Sequence, residues 1–451
     1  MRTVSLHDTR TGAVLPLEPE LAPRVRIYAC GPTVYGRIHV GNARPFVVFS
    51  LLTRFLASEG YTVDFVANIT DVNDKIYAAA VQTGVSSPEL AREMTAAYIA
   101  DTDALGLGRP DHEPLASETI GPIVELIGRL IEGGHAYAAD GDVYFSVRSY
   151  ANYGELSHRD VDQMDQGEEA EGAGRKRDVL DFALWKARKR GEDAFWDSPW
   201  GPGRPGWHIE CSAMAEELLG LGFEIHGGGS DLLFPHHENE AAQTFAAHGR
   251  PLARIWMHNG MIRLDSAKMS KSIGNVFVLH EALERYGRDA LLMYFCSAHY
   301  RQPVEFDGER LTEAGARCAR IREAARALID GPSPEWSAPM RERFLDALAT
   351  DFNTPRALAA VFDWVREANR SPAGTVGDDD LRAMLDLLGL ATLLERERAQ
   401  PPPQVLKLLQ ARERARAERD FARADELRDQ LRSLGWEVRD GSAGPELLPA
   451  P

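Results

Sequence analysis

From Arg24 to Cys30 the chain reads RVRIYAC, with apolar and polar residues in alternation, and this period of two predicts a strand. Gly31-Pro32-Thr33 breaks it. A run with helical spacing, ARPFVVFSLLTRFLASEG, then predicts a helix from near His39 to a stop at Gly60. Tyr61–Ile69 reads as a second strand, followed by helical stretches over about 74–105 and Ile120–Glu132. Strand, helix, strand and further helix is the opening of a βαβ unit, so the expected class is α/β with a parallel sheet.

The pattern changes in the middle. DVYFSVRSY predicts a strand, the charged and glycine-rich 166–177 a loop, and DSPWGPGRPG over 197–206 an irregular connection. Alternating order then returns: a helix over Ile209–Leu219, a strand over Phe223–His226, a turn at Gly227-Gly228-Gly229, and a helix opening at Pro235, where proline suits a first turn. The segment of about 126–204 is therefore expected as an insert between two Rossmann-like halves, about 1–125 and 205–250. Beyond about 312 the apolar spacing is three and four throughout, which predicts a helix bundle. Pro401-Pro402-Pro403 marks a linker, a long charged helical stretch follows, and a disordered end is expected from Gly441.

Composition adds bounds. With 451 residues, 44% of them hydrophobic and 26% charged, the chain has material for several domains with ordinary cores. No run of about 20 apolar residues predicts a membrane span, and residues 1–23 carry no readable secretory signal. A cytoplasmic location is the expectation. Cys30, Cys211, Cys296 and Cys318 are far apart, which favours reduced thiols or metal ligands over a disulfide framework. A net charge of −17 argues mildly against a nucleic-acid partner, although a local basic strip can hold RNA on an acidic protein.

Four constellations carry candidate chemistry. His39-Val40-Gly41-Asn42 stands at the mouth of a helix, where glycine permits close backbone approach and the helix terminus attracts phosphate. Taken alone it is a weak signal, and a helix-capping turn with a surface histidine is the plainer reading. Lys268-Met269-Ser270-Lys271-Ser272 is a cationic loop suited to a leaving pyrophosphate, or a solvated surface loop. His236 and Glu240 lie four apart on one helical face and suit a metal, but His237 and Glu238 stand beside them, and spacing does not select among the four. Cys30 and Cys211 are natural thiolate ligands or plain core residues, whereas Cys296 and Cys318 read as buried structural thiols. His226-Gly227-Gly228-Gly229-Ser230-Asp231 offers amides, an imidazole and a carboxylate near the open end of the sheet.

In this order the segments resemble the class I aminoacyl-tRNA synthetases, with HVGN at 39–42 as the HIGH-like motif and an intact KMSKS at 268–272. YACGPTVYGRIHVGN, NITDVNDKI, LDFALWK, PGWHIECSAM, HGGGSDLLFPHHENE and DFNTPRAL narrow the resemblance to the cysteinyl-tRNA synthetase family, over nearly the whole chain. The resemblance implies a zinc ion on Cys30, Cys211, His236 and Glu240, contacting the thiolate of substrate cysteine. It implies a cysteine pocket at Thr70, Trp207, His226 and Asp231. ATP, with Mg2+, would meet His39, Gly41, Asn42, Gly228, Gly229 and Lys271, and catalysis would rest on His39, Asn42, Lys268 and Lys271. Asn42 departs from the second histidine of the motif, and Asn73 from a position more often acidic.

The domain plan implied is a catalytic domain over 1–312, with the KMSKS region at about 251–312. An anticodon-binding bundle over 313–400 and a helical extension over 401–451 would follow, with Arg412, Arg416, Arg419 and Arg423 as candidates to face phosphate or simply solvent. The partners implied are tRNA(Cys), L-cysteine and ATP, without a membrane, on a monomer. A related ligase that joins cysteine to an amino sugar, and a silent RNA-binding paralogue, are the rival readings. The complete helical tail and the intact ligand and lysine positions weigh against them.

Overall fold

The structure is a computed structural model that describes residues 2–164, 174–264, 267–268, 277–395, 402–418, 420–441 and 444–449. It divides into two compact units, Met1–Leu393 and Leu394–Pro451.

The first unit is organised by a four-stranded parallel sheet. Its order is Ala253–Asn259, Phe223–Gly229, Arg24–Ala29, Thr62–Ala67. Val25, Ile27, Phe223 and Ile225 are wholly buried, as strands covered on both faces require. The chain leaves Arg24–Ala29 through the helix Val40–Ser58, pairs Thr62–Ala67 on one side, and returns much later to pair Phe223–Gly229 on the other. Strand order therefore reverses at Arg24–Ala29. In an open α/β sheet such a switch point opens a crevice at the carboxyl ends of the strands.

The expected elements form, with instructive differences. Gly227-Gly228-Gly229 is strand and not turn: the three residues continue in register with Met257, His258 and Asn259. The physical reason is the helix above them, since a Cβ on Gly227 would overlap the ring of Phe49. Glycine here allows close helix–sheet packing. Pro235 does not open the helix. It lies in an irregular turn, Leu233–His237, with Phe234 in extended backbone, and the regular helix is Glu238–His248. The stretch over 74–105 is two helices, Asp74–Thr83 and Ser87–Asp103, parted by Gly84 in the left-handed region and recapped by the Ser86 hydroxyl. Gly203–Pro205, expected to be irregular, is a short strand beside Phe182–Ala187, with proline tolerated at a sheet edge. That four-stranded antiparallel sheet also contains Ala136–Ala139 and Asp142–Phe145, and its core reaches Ile209 and Ala213 of the helix Trp207–Leu219. The helices Gly308–Ala325, Ala338–Ala349, Thr354–Ala368 and Asp379–Leu387 follow as the bundle.

In the second unit the long helical stretch is a hairpin of Pro403–Ala417 and Phe421–Ser433, restarted by Asp420 accepting from the Arg423 amide. Part of the end expected to be disordered is ordered: Gly444–Pro449 pairs antiparallel with Trp436–Gly441. Val405, Leu431, Trp436 and Val438 form a small core, with Leu447 packed against it, which gives the strand an apolar reason to dock. Arg412 is buried and bonds Glu413 at 2.9 Å, so it does not present its charge to a phosphate backbone. Arg423 bonds Glu426, and Arg419 lies outside the described residues.

An ion pair ties two central strands. Glu224 accepts from Arg26 Nε at 3.0 Å, Nη2 at 3.1 Å and the Arg26 amide at 2.8 Å, and both residues are buried. Burial alone would raise the carboxyl, but the Arg26 contacts outweigh it and hold Glu224 below its usual range.

Two predictions follow from this packing. Gly227→Ala is expected to cost about 1–3 kcal/mol in urea unfolding, with Phe49→Leu recovering part of the loss in the double variant. Glu224→Gln is expected to cost about 3–5 kcal/mol near neutrality, as for a broken buried pair. Because the folded-state pKa is depressed, that difference should hold above the unfolded carboxyl's value of about 4.3 and close as pH falls through the folded one, measured as urea midpoints against pH.

Candidate metal centre and nucleotide site

The switch point positions the centre. Cys30 directly follows the strand Arg24–Ala29, and its amide donates to the Gly227 carbonyl at 2.9 Å. Cys211 comes from the helix Trp207–Leu219, His236 from the irregular turn, and Glu240 from the first turn of Glu238–His248. The turn matters because it aims His236 back over Glu240: His236 Nε2 lies 3.1 Å from Glu240 Oε1. Cys30 Sγ lies 3.4 Å from the same oxygen and 3.6 Å from His236 Nε2. The ligand atoms of Cys30, Cys211, His236 and Glu240 all fall within 4.8 Å of one another, and all four residues are buried.

A second set, Cys30, His226, His237 and Glu240, meets the same criterion and shares two members. Its surroundings differ. His226 is stacked on Tyr28 and packed against Trp256, with ring centroids 5.2 and 4.4 Å away, and its Nε2 lies 3.4 Å from Glu240 Oε2. His237 Nδ1 contacts His258 Nε2 at 2.7 Å, and His258 Nδ1 contacts the Thr9 hydroxyl at 2.7 Å. His236 is instead oriented by His208, Nδ1 to Nδ1 at 2.9 Å, and by Trp207 stacked on its ring at 4.3 Å.

The electrostatics suit a cation. Burial drives His236 down to about 3, against the pull of Glu240, so its imidazole is neutral and able to ligate. Burial would raise Glu240, yet the facing His226 and His236 and the Cys30 contact outweigh it and hold the carboxyl below its usual range. Burial and the neighbouring Cys211 push the Cys30 thiol well up. For Cys211, the Cys30 contact lowers the thiol, but burial and Glu240 prevail. Thiols so placed become thiolates only when a metal takes the proton's place. Two sulfurs, a nitrogen and an oxygen form a soft donor set, and the buried Glu240 Oε2 has no hydrogen-bond partner among the described residues.

The remaining expected residues take distinct places. Trp207 and His226 join the centre as described. Thr70 is buried nearby, its hydroxyl accepting from Asn68 Nδ2 at 3.2 Å. Asp231 is exposed, with its carboxylate against Gly229, and Gly228 packs beside the His237 ring. His39 caps the helix Val40–Ser58: its Nδ1 accepts from the Asn42 amide at 3.2 Å while Asn42 Oδ1 accepts from the His39 amide at 3.3 Å. The motif is thus a reciprocal capping box. Gly41 lies under the ring, where a Cβ would stand 2.9 Å from it. Val278 bridges His39, and Val40 donates to the Phe277 carbonyl at 3.0 Å, so the chain just beyond KMSKS lies alongside the HVGN segment. The Lys268 backbone pairs with Arg263, and Lys271 lies outside the described residues. Cys296 and Cys318 are buried free thiols apart from this centre. Tyr28, His208, Trp256 and His258 complete the site without having been singled out in the sequence. Only tertiary packing brings them there, although His208 and Tyr28 stand within the segments that carry the resemblance.

Known proteins match the chain over nearly its whole length. A model of the class I (C) tRNA synthetase catalytic domain matches residues 17–316. A DALR domain matches 343–394, and a cysteinyl-tRNA ligase anticodon binding domain matches 398–444. A cysteine–tRNA ligase of Pseudothermotoga lettingae is 45% identical, over 93% of this chain and 94% of its own. One from Rubrobacter xylanophilus is 44% identical over 99% of each. Among solved structures, Mycobacterium tuberculosis methionyl-tRNA synthetase with methionyl-adenylate shares the fold at TM-score 0.59 and 16% identity, covering 86% of this chain and 94% of that one. The leucyl-tRNA synthetase of Agrobacterium radiobacter does so at TM-score 0.60 and 12% identity, covering 83% and 85%. The sheet, its switch-point centre and the full-length likeness lead to one conclusion: the chain belongs to the cysteinyl-tRNA synthetase family of class I aminoacyl-tRNA synthetases.

Proposed function

We propose that this chain activates L-cysteine with ATP to cysteinyl-adenylate and transfers the cysteinyl group to the 3′ end of tRNA(Cys). The observation that carries the reading is the buried convergence of Cys30, Cys211, His236 and Glu240 at the switch point of the sheet. The likeness of residues 398–444 to an anticodon binding domain favours tRNA over an amino sugar as acceptor.

Cys30, Cys211, His236 and Glu240 would hold zinc, which when bound favours a soft thiolate over a hydroxyl and so separates cysteine from serine, a distinction that size alone makes poorly. The protein's own groups do the rest. Trp207 and His208 fix the plane and tautomer of His236. Thr70, Trp207, His226 and Asp231 would line the amino-acid pocket. The Asn42 amide occupies His39 Nδ1, which places the ring proton on Nε2, the tautomer that donates to a phosphate oxygen. His39 and Asn42, with the backbone at Gly41, Gly228 and Gly229, would position ATP and its Mg2+ while the cysteine carboxylate attacks the α-phosphate in line. Lys268 and Lys271 would stabilise the charge on the departing pyrophosphate. No helix among the described residues is long and apolar enough to cross a membrane. A monomer working in the cytoplasm fits this reading.

The test is aminoacylation with purified protein, ATP, magnesium, labelled cysteine and total bacterial tRNA. Acid-precipitable cysteine that depends on tRNA(Cys), with serine rejected, is expected. Adenylate without transfer would point to the amino-sugar ligase, and no activation would overturn the reading. For the centre itself, Cys211→Ser should lower bound zinc, measured by mass spectrometry of the metal, and narrow the cysteine-over-serine ratio by at least tenfold. Retention of both zinc and selectivity would remove Cys211 from the ligand set.

A further inference from the structure

Arg44 stands two residues beyond the HVGN segment, on the buried side of the helix that His39 caps, and it is almost wholly inaccessible to solvent. Among the described residues no carboxylate pairs with it. Its guanidinium meets three backbone carbonyls instead: Nη1 donates to Gly260 at 2.5 Å and Gln302 at 2.8 Å, and Nη2 donates to His299 at 3.0 Å. Burial lowers its pKa to about 10, so it stays charged at neutral pH. A buried cation without a counter-ion is costly unless its donors are all satisfied, and only a planar fork reaches three carbonyls on two segments at once.

The two segments have meaning for the site. Gly260 is the hinge between the parallel strand Ala253–Asn259 and the strand Ile262–Leu264, which pairs with Ala267–Lys268 and so carries the backbone to the first lysine of KMSKS. Gly260 is itself clamped: its amide donates to the Tyr300 carbonyl at 2.7 Å, and a Cβ on it would overlap the Gln302 carbonyl. Residues 299–302 are held in turn from the bundle. Asp351 accepts from the Tyr300 hydroxyl at 2.7 Å, from Arg301 at 2.6 and 3.0 Å, and from the His7 amide at 3.0 Å. Asp351 and Phe352 both have positive φ, an uncommon backbone for non-glycine residues, just before the helix Thr354–Ala368.

We infer that Arg44 is a positioning residue for adenylate formation: it fixes the HVGN end of its helix at a set distance from the strand that leads to Lys268, by bridging Gly260 to residues 299–302. The inference rests on the proposed ligase reading, because it supposes that the two motifs act on one ATP. Arg44 hydrogen-bonds the Gly260, Gln302 and His299 carbonyls and none of Cys30, Cys211, His236 or Glu240. It acts through the backbone it holds, and Asp351 makes that backbone rigid enough to hold. A lysine at this position keeps the charge but loses the planar fork that sets the three bonds on two segments.

The experiment compares the wild type with Arg44→Lys and, as a variant that leaves Arg44 intact, Tyr300→Phe. Cysteine-dependent ATP–pyrophosphate exchange is the activity readout, and amide hydrogen exchange of the protein without substrate is the independent one. Arg44→Lys is expected to lower kcat by roughly 10- to 100-fold, the scale of a misplaced reacting group, with KM for cysteine changed less than about twofold and bound metal unchanged. Amides of 260–264 and 299–304 should exchange faster while those of Arg24–Ala29 do not, and Tyr300→Phe should show a milder form of the same pattern. A kcat within about twofold of wild type in both variants would overturn the inference. So would a joint fall of kcat, cysteine affinity, metal content and protection everywhere, which would make Arg44 merely structural. Should the wild type form no cysteinyl-adenylate, the functional reading fails. Unchanged exchange at 260–264 in Arg44→Lys would then still refute the bridge on its own.

Discussion

Two thiols, a carboxylate and an imidazole converge within 4.8 Å of one another in a region closed to solvent, and that convergence sets the terms for the rest of the molecule. Each group alone resists such burial. Burial raises the carboxyl of Glu240 while His226, His236 and the Cys30 contact draw it down, and burial drives His236 toward the neutral form. The thiols of Cys30 and Cys211 prefer to keep their protons there. A divalent ion bound among them would remove this conflict, since it would accept both sulfurs as thiolates with the imidazole neutral.

The fold supplies the geometry from distant parts of the chain. A reversal of strand order at Arg24–Ala29 opens the crevice, and Cys30 stands at its edge because it directly follows that strand. The opposite wall is built on Phe223–Gly229, whose bare glycine face admits Phe49 and so brings the His39-capped helix close to the sheet. Glu224 and Arg26 lock the same two strands at their other end. The candidate metal centre and the HVGN segment are therefore two ends of one packing arrangement.

Much of this was legible in the sequence. Apolar patterning located Arg24–Ala29, Thr62–Ala67 and Val40–Ser58, although the sheet is covered on both faces, so the alternation of Arg24–Cys30 does not mark a solvent-facing side. The ligand set was different in kind. His236 and Glu240 were visible as a spacing, but their choice over His237 and Glu238, and the joining of Cys30 with Cys211, came from family resemblance. Tertiary packing decided the remainder. Three glycines look like a turn until a phenylalanine above them makes them a strand, and Arg44 looks like one more helix arginine until Gly260, His299 and Gln302 bring their carbonyls to it. The hairpin at the end of the chain was missed because its small apolar core forms only when Leu447 meets Val438 and Trp436.

The separation of Cys30 from Glu240 also has a temporal side. About 200 residues lie between them, including a complete antiparallel sheet of separate pairing. At the usual pace of translation, the ribosome needs about 10–40 s to make that stretch. Between synthesis of Thr62–Ala67 and of Phe223–Gly229, the strand Arg24–Ala29 has its sheet partner on one side only, and its opposite edge lies open with Cys30 beside it. The nascent chain thus carries an unpaired strand edge and the Cys30 thiol together, and an open edge of this kind is where edge-to-edge association competes with folding.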